Sequence, residues 1–254
     1  MLFTTRLFIL LNMFLLFCRI AFGQKSMKDS TISFSMISAN GAFQIPLSDL
    51  SDRFGSNWNT GGSFMHKSSG NFLFGLDGQF LFGNTVKENT ILDSLISGQG
   101  AIISESGQFA DVILYERGFK FELKAGKVFP VIGPNPNSGI IATIGAGLLQ
   151  HKIRIENQGS SIPSIEGDYK KGYDRLTNGL SFTAFAGYVN FSNNRKINFF
   201  AGIEFTQAFT QNRRSYNFDT MEKDERKRTD QLLGIRAGWI IPVYKRTPRQ
   251  YYFN

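Results

Sequence analysis

The feature that most constrains this chain is an alternation of apolar and polar residues with a period of two. Residues 71–83 read NFLFGLDGQFLFG, in which large apolar side chains share one parity while Asp77 and Gln79 fall on the other. Residues 118–129, 198–210 and 231–241 alternate in the same way. A period of two is typical of a β-strand with one apolar face. The pattern therefore predicts an all-β protein.

Further segments alternate less regularly: 31–45, 58–66, 138–155 and 180–191. Near the start of 138–155 both parities are apolar, so the orientation of that strand stays open. Together the segments predict eight strands, and bacterial single-chain membrane barrels have an even number. The predicted fold is an eight-stranded antiparallel transmembrane β-barrel.

The predicted connections alternate in length. Short turns rich in turn residues fall at 67–70, 133–137 and 192–195. Longer loops fall at 46–57, 84–114, 156–179 and 212–229. Short periplasmic turns on one rim and long extracellular loops on the other are typical of membrane barrels. Aromatic residues near the short-turn rim predict an interfacial belt there: Phe72, Phe129, Tyr188, Phe191, Phe199, Trp239 and Tyr244.

Residues 1–23 are predicted to be a secretory signal peptide. Arg6 precedes an apolar run at 7–17, and small residues occupy positions 21 and 23. The outer-membrane barrel domain would then span 24–254, with the barrel at about 31–244 and a short basic tail at 245–254. Cys18 is the only cysteine and lies in the signal, so we expect no disulfide.

No apolar segment after residue 23 approaches the roughly 20 residues that a membrane helix needs. Crossing a membrane would therefore require a closed barrel, which pairs every backbone group without water. The 26 Phe and 26 Gly suit strands that face lipid on one side and a crowded lumen on the other. The formal net charge of +8 favours contact with anionic lipid or polysaccharide over nucleic acid in an exported chain.

Charged residues collect on the parity expected to face inward: Asp77, Lys120, Glu122, Lys124, Glu204 and Arg236. An eight-stranded barrel is only wide enough for its own side chains, and buried charges must be paired. We expect these acids and bases to close the lumen as a structural cluster with a possible binding role. A narrow polar conduit or a small-ligand site is the alternative.

No catalytic residue, metal site or cofactor is predicted. His151 lies toward the long-loop rim, but a hydrolase would need a serine and an acid that converge on it. Ser160, Ser161 and Glu156 follow nearby in the chain. Two histidines without a cysteine in the mature chain give no convincing zinc set.

Two long loops carry local patterns. In the loop at 84–114, a short amphipathic helix over the barrel mouth is indicated by residues at helical spacing, Ile91, Leu92, Leu95 and Ile96. The mixed charges at 213–228 predict a solvated hairpin extension with internal ion pairs, or a site for lipopolysaccharide phosphates. Residues 168–175 are interpreted in the same way.

On this architecture, residues 31–244 resemble the small outer-membrane barrels of the OmpA/OmpX type, in a form common among Bacteroidota envelope proteins. The resemblance implies export to the outer membrane and a structural or protein-interaction role. The implied partners are outer-membrane lipid, lipopolysaccharide and another envelope protein met through the long loops or the tail. One departure is that the last strand ends near Val243, and the tail follows it instead of a closing aromatic residue.

Two other functions stay open at this point. One is an outer-membrane enzyme that modifies lipid or lipopolysaccharide, with His151 as the base. The other is a soluble periplasmic carrier of the lipocalin type, whose phenylalanine-rich parity would face inward around an apolar ligand. The membrane barrel is favoured because the charged parity is sparse and rich in glycine, whereas a solvated face would carry more Lys and Glu.

Overall fold

The computed structural model describes residue 28 and residues 30–159, 161–194 and 196–244, without the side chains of residues 89 and 158. The predicted signal at 1–23 and tail at 245–254 lie outside these residues and stay predictions.

The elements are β1 (Phe34–Ser48), α1 (Asp49–Arg53), β2 (Asn57–Lys67), β3 (Phe72–Gly83), a 3₁₀ segment (Asn89–Leu95), β4 (Ile102–Ile103), β5 (Phe109–Phe129), β6 (Gly139–Gln158), two 3₁₀ segments (Pro163–Ile165 and Gly167–Gly172), β7 (Thr177–Phe191), β8 (Asn198–Asn212) and β9 (Lys227–Val243).

Eight of these strands close into one antiparallel barrel, which confirms the predicted fold. Neighbours in sequence pair with each other, β3 pairs with β5, and β1 pairs with β9 to close the ring. The closing ladder runs from Ser35↔Val243 to Ser48↔Asp230. The short strand β4 pairs only with the outer end of β5 and takes no part in the barrel wall. Closure leaves no open sheet edge around the ring.

Several strands are longer than the alternation predicted, mainly at their long-loop ends. Strand β5 begins at Phe109, so residues 109–114 belong to a strand and not to the long loop. This extension pairs with β6 from Asp111↔Gln158 onward, beyond the point where β3 ends. The two strands thus project from the barrel as a ribbon.

Both ends of the barrel domain and the three tight connections lie on one rim, which we call the turn rim. The opposite rim, the loop rim, carries the outer loops 49–56, 84–108, 159–176 and 213–226. The predicted sorting by length holds only in part. The turn at 130–138 is one residue longer than the loop at 49–56, because β1 and β2 extend further outward than predicted.

The two parities face opposite ways along every barrel strand. Large apolar side chains cover the outer wall, and Leu123 and Ile235, for example, are 65% and 68% exposed. Charged and small polar side chains point into the barrel and are buried. In strand β6, whose orientation was open, Ile141 and Thr143 point inward while Ile140 and Ile144 point outward. None of the helices among the described residues is long and apolar enough to cross a membrane.

The predicted aromatic belt at the turn rim is correct for most of its members but wrong for Phe191 and Tyr244. Phe72, Phe129, Phe199 and Trp239 are exposed on the outer wall. The Phe191 ring is completely buried inside the barrel and meets Phe34 edge-on, with 5.1 Å between the ring centroids. Tyr244 packs against the same interior cluster. The reason is parity, since residue 191 falls on the inward face of β7.

We expect a charge in the middle of the outer wall to destabilise the folded barrel in lipid. Replacing Leu123 with Arg should lower the free energy of unfolding by about 2–4 kcal/mol, the cost of an arginine on the lipid face near the bilayer midplane. Denaturant titration in lipid vesicles, followed by tryptophan fluorescence, measures the change. Met221→Arg, in an exposed outer loop, is the matched control. Equal stability of Leu123→Arg and the wild type would mean that this wall faces water.

Candidate functional site in the barrel lumen

The structure brings the six predicted lumen residues together at mid-height in the barrel. Strand β3 supplies Asp77, β5 supplies Lys120, Glu122 and Lys124, β8 supplies Glu204, and β9 supplies Arg236. The strand register explains part of the assembly, because Asp77 lies opposite Glu122 across the β3–β5 ladder. All six side chains are buried. We refer to them as the lumen ion cluster.

Glu204 lies at the centre of this cluster and contacts all three cations. Its Oε1 atom is 3.1 Å from Lys120 Nζ, and its Oε2 atom is 3.1 Å from Arg236 Nε and 3.5 Å from Lys124 Nζ. Asp77 forms the second acidic contact, 3.3 Å from Lys124 Nζ and 3.2 Å from Arg236 Nη1. Each cation is therefore shared between carboxylates, and the formal charges of the cluster balance.

Hydroxyl groups that the sequence analysis did not single out complete the cluster. Thr183 donates a short hydrogen bond to Glu122, and Lys120 Nζ donates to Thr183 at 3.2 Å and to Thr206 at 3.0 Å. Both threonines are on the inward parity of β7 and β8. Their parity could have revealed them, but short uncharged side chains carry a weaker signal than charges.

Glycine makes room for the ions. A Cβ atom at Gly145 of β6 would lie 3.2 Å from both Glu122 Oε2 and Lys124 Cγ. Such contacts are tighter than ordinary packing allows, so a larger residue there would push against the cluster. This agrees with the expectation that glycine serves a crowded lumen.

An apolar layer lies on each side of the lumen ion cluster. Toward the turn rim the interior is filled by Phe34, Met36, Met65, Leu73, Val128, Ile141, Phe185, Val189, Phe191 and Ile240. Toward the loop rim it is filled by Leu50, Phe54, Leu81, Leu149, Ile153, Ile155 and Leu232, together with buried residues of the outer loops. A cavity of only about 40 Å³ lies between the ions and the turn-rim layer.

The outer loops cover the barrel mouth as predicted, with one difference. The segment at Asn89–Leu95 is a 3₁₀ helix, and it buries Ile91 and Leu92 in the loop-rim layer. Ile96 follows the helix and is 44% exposed, so it does not belong to the buried face. The residue spacing predicted the contact but not the type of helix.

A second ion network joins the four outer loops. Arg53 Nε lies 2.8 Å from Glu88 Oε2, and Arg175 Nε lies 3.0 Å from Glu88 Oε1. The same Arg175 guanidinium binds Asp219 through both terminal nitrogens. These four residues come from four different loops. The charged segments were expected to form ion pairs within each loop, and Arg175 and Asp219 depart from that expectation.

Within the fourth loop the predicted internal pairs are present. Asp224 accepts hydrogen bonds from Arg226 and Arg228. Burial alone would raise the pKa of Asp224, but these hydrogen bonds outweigh it and hold the pKa well below its usual range. Burial would likewise lower the pKa of Arg175, yet the hydrogen bonds to Asp219 and Glu88 raise it. Both groups therefore keep their charge through the physiological pH range.

His151 is enclosed in the barrel and not presented at its mouth. Its side chain is 1% exposed, Nε2 is 2.9 Å from Asp230 Oδ2, and the ring meets Phe54 edge-on. Ser161 instead donates to Glu166, and Glu156 pairs with Arg154 on the outer side. Ser160 lies outside the described part of the chain. The acid–base arrangement considered for an enzyme is therefore not assembled among the residues that the structure describes.

No group of three or more His, Cys, Asp or Glu side chains that could hold a metal ion occurs in residues 28, 30–159, 161–194 and 196–244. The acids of the lumen ion cluster are instead occupied by lysine and arginine.

Removing the central carboxylate should strongly destabilise the barrel. In Glu204→Gln three cations would share two carboxylates, and breaking a buried ion pair by removing one partner costs about 3–5 kcal/mol. Denaturant unfolding in lipid vesicles measures this. Glu225→Gln removes an ion pair on the exposed surface of a loop, and it should leave the stability close to that of the wild type because solvent screens such pairs. If the two variants unfold alike, Glu204 does not hold the cluster together.

Searches against protein-family models and curated proteins give no match to this chain. Among solved structures, Neisserial surface protein A is similar, with 13% identity and a TM-score of 0.42 over 82% of this chain and 96% of that one. The N-terminal barrel domain of Pseudomonas aeruginosa OprF has 12% identity and a TM-score of 0.37, over 82% and 99%. Ail of Yersinia pestis, in complex with the heparin analogue sucrose octasulfate, has 12% identity and a TM-score of 0.34, over 83% and 99%.

At these identities and TM-scores the matches carry no conclusion of their own. The strand pairing and the outer wall of this chain are sufficient to assign its architecture. A closed antiparallel ring satisfies its backbone hydrogen bonds internally. The apolar side chains on its exterior can then be solvated by the lipid chains of a bilayer. The chain is thus an eight-stranded antiparallel β-barrel whose apolar exterior suits a lipid bilayer.

Proposed function

We propose that this protein is a sealed outer-membrane barrel with a structural or interaction role that its outer loops carry. One observation supports this above all: an apolar layer, the lumen ion cluster and a second apolar layer follow one another along the interior. A solute would have to displace buried ion pairs between Glu204 and its three cations. The barrel therefore serves as an anchor and not as a passage.

The outer loops are suited to hold a fixed surface toward the exterior. They share a buried apolar layer, and the network of Arg53, Glu88, Arg175 and Asp219 ties each loop to another. We propose that another envelope protein binds this surface or the tail at 245–254. Cross-linking in intact cells would capture that partner, and recovery of the bare monomer alone would count against it.

The lipid partner that we propose at the loop rim is lipopolysaccharide. Arg117, Lys152, Arg154 and Lys170 line an open concavity of about 630 Å³ beside Phe80, just above the apolar wall. Its two acids are already engaged, Glu156 by Arg154 and Asp174 by Arg214 and, at 4.0 Å, by Lys152. The four cations of the concavity outnumber these two acids, and the excess positive charge suits phosphate groups, which form strong charge-assisted hydrogen bonds with arginine and lysine.

One observation counts against each of the two alternative functions, the lipocalin-like carrier and the lipid-modifying enzyme. A lipocalin-like carrier needs its phenylalanine-rich parity inside, yet those side chains lie on the outer wall. A lipid-modifying enzyme needs an accessible base, yet His151 is buried against Phe54 and bonded to Asp230. We propose no catalytic role for His151.

A sealed barrel should not conduct. The purified full-length protein, inserted into planar lipid bilayers, is expected to give no stable channels, because in the proposed sealed barrel an ion would have to displace the lumen ion cluster. Heat-dependent migration on gels verifies that the inserted protein is folded. Reproducible single-channel currents from the folded wild type would contradict the proposal.

Lipopolysaccharide binding should depend on the loop-rim cations. Lys152→Gln combined with Lys170→Gln is expected to weaken binding at least about tenfold, since each basic residue near an anionic lipid surface contributes about 1 kcal/mol. Titration of the detergent-solubilised protein with lipopolysaccharide measures the affinity. Lys223→Gln, a loop cation outside the concavity, is the control. Unchanged affinity in the double variant would remove this partner from the proposal.

A further inference from the structure

The outer wall is not uniformly convex. Two adjoining concavities of about 810 and 890 Å³ lie on the lipid-facing side of strands β3, β5, β6, β7 and β8. Both are lined mainly by apolar side chains, and they share Phe74, Ala125, Ile144, Ala184 and Phe205. We treat them as one feature, the wall groove. Each of the two concavities is in the size range of ligand pockets, about 300–1,000 Å³.

The strand register explains the shape of the wall groove. One row across the wall runs Phe74, Ala125, Ile144, Ala184 and Phe205, and the next row toward the turn rim runs Phe72, Lys127, Ala142, Ala186 and Ile203. Large side chains on β3 and β8 thus form the sides. Alanines on β5, β6 and β7 form most of the floor, so the surface is recessed between them.

One charged side chain lies on the outward face of this lining. Lys124 also borders the wall groove, but it points into the barrel and pairs with Asp77 and Glu204. Lys127 lies on the outer face near the turn rim, and its Nζ atom is 4.7 Å from the ring centroid of Phe72 and 5.7 Å from that of Phe129. The aromatic rings hold the ammonium group at the end of the groove by cation–π attraction.

We propose that the wall groove binds one anionic phospholipid of the periplasmic leaflet. Its acyl chains lie over the alanine floor, and its phosphate pairs with Lys127 at the level of the turn rim. An apolar recess that ends in a single cation matches the chemistry of such a lipid. This inference needs the barrel to lie in a membrane but does not depend on whether the lumen is sealed.

A second copy of the chain fits the wall groove less well. In a two-fold symmetric contact the same patch faces itself. Groove against groove would bring two Lys127 side chains together in apolar surroundings, where unpaired charges are costly. Lipopolysaccharide is also excluded as the occupant because it lies in the outer leaflet, whereas Lys127 is at the opposite end of the strands.

The test is native mass spectrometry of the full-length protein in detergent, titrated with phosphatidylglycerol or with zwitterionic phosphatidylethanolamine. We expect the wild type to bind one phosphatidylglycerol in preference to phosphatidylethanolamine. Lys127→Gln should weaken phosphatidylglycerol binding about fivefold and abolish the preference. Ala184→Phe, which fills the floor, should weaken binding of both lipids.

Matched variants separate this site from general effects. Lys196→Gln removes another turn-rim cation, and Ala237→Phe enlarges an outward alanine on β9, away from the groove. Both should bind phosphatidylglycerol like the wild type, and all variants should keep heat-dependent gel migration. Equal binding by Lys127→Gln, Ala184→Phe and the wild type would overturn the proposal. So would a dimer that Ala184→Phe dissociates while lipid binding is unchanged.

Discussion

Backbone hydrogen bonding in a medium without water is the constraint on which this structure depends. A peptide group left unpaired in the hydrocarbon core costs several kcal/mol, so every strand must have a partner on both sides. The ladder between β1 and β9 meets that requirement by joining the first strand to the last. Once the ring is closed, alternation along each strand decides which side chains meet lipid and which enter the lumen. Closure of the ring thus determines the position of both the apolar outer wall and the lumen ion cluster.

Side chains fill the interior of a narrow barrel, and polar side chains there have few possible hydrogen-bond partners. The lumen ion cluster meets this by sharing each cation between carboxylates and by adding threonine hydroxyls. Charges at the centre with apolar layers on both sides also limit how the strands can shift past each other. A slip by one residue would turn every side chain to the other face and expose the ions to lipid. The buried charges therefore help to specify the register, in addition to filling space.

Sequence alternation was sufficient to predict the strands, the closure and the six residues of the lumen ion cluster, because all of these follow from parity. The Phe191 ring was misassigned because a nearby strand end suggested an interface, although its parity is inward. The ribbon at 109–114 was missed because it extends past the end of β3, where the alternation of apolar and polar residues weakens. Nothing local predicts that Glu88 pairs with Arg53 and Arg175. Those contacts depend on how separate loops fold over one mouth, which spacing along the chain does not encode.

Because of the ion network across the loop rim, some positions on the outer surface are constrained by contacts between loops and others are not. Glu88 and Asp219 each engage an arginine from another loop, so changing one loop at these points would disturb its neighbours. At the loop tip around Gly98, by contrast, a Cβ atom added to the glycine would have no neighbouring atoms within 4 Å. Insertions at such tips would leave the network intact. The barrel thus offers a scaffold on which a foreign peptide grafted at residues 98–100 would be displayed from a rigid base.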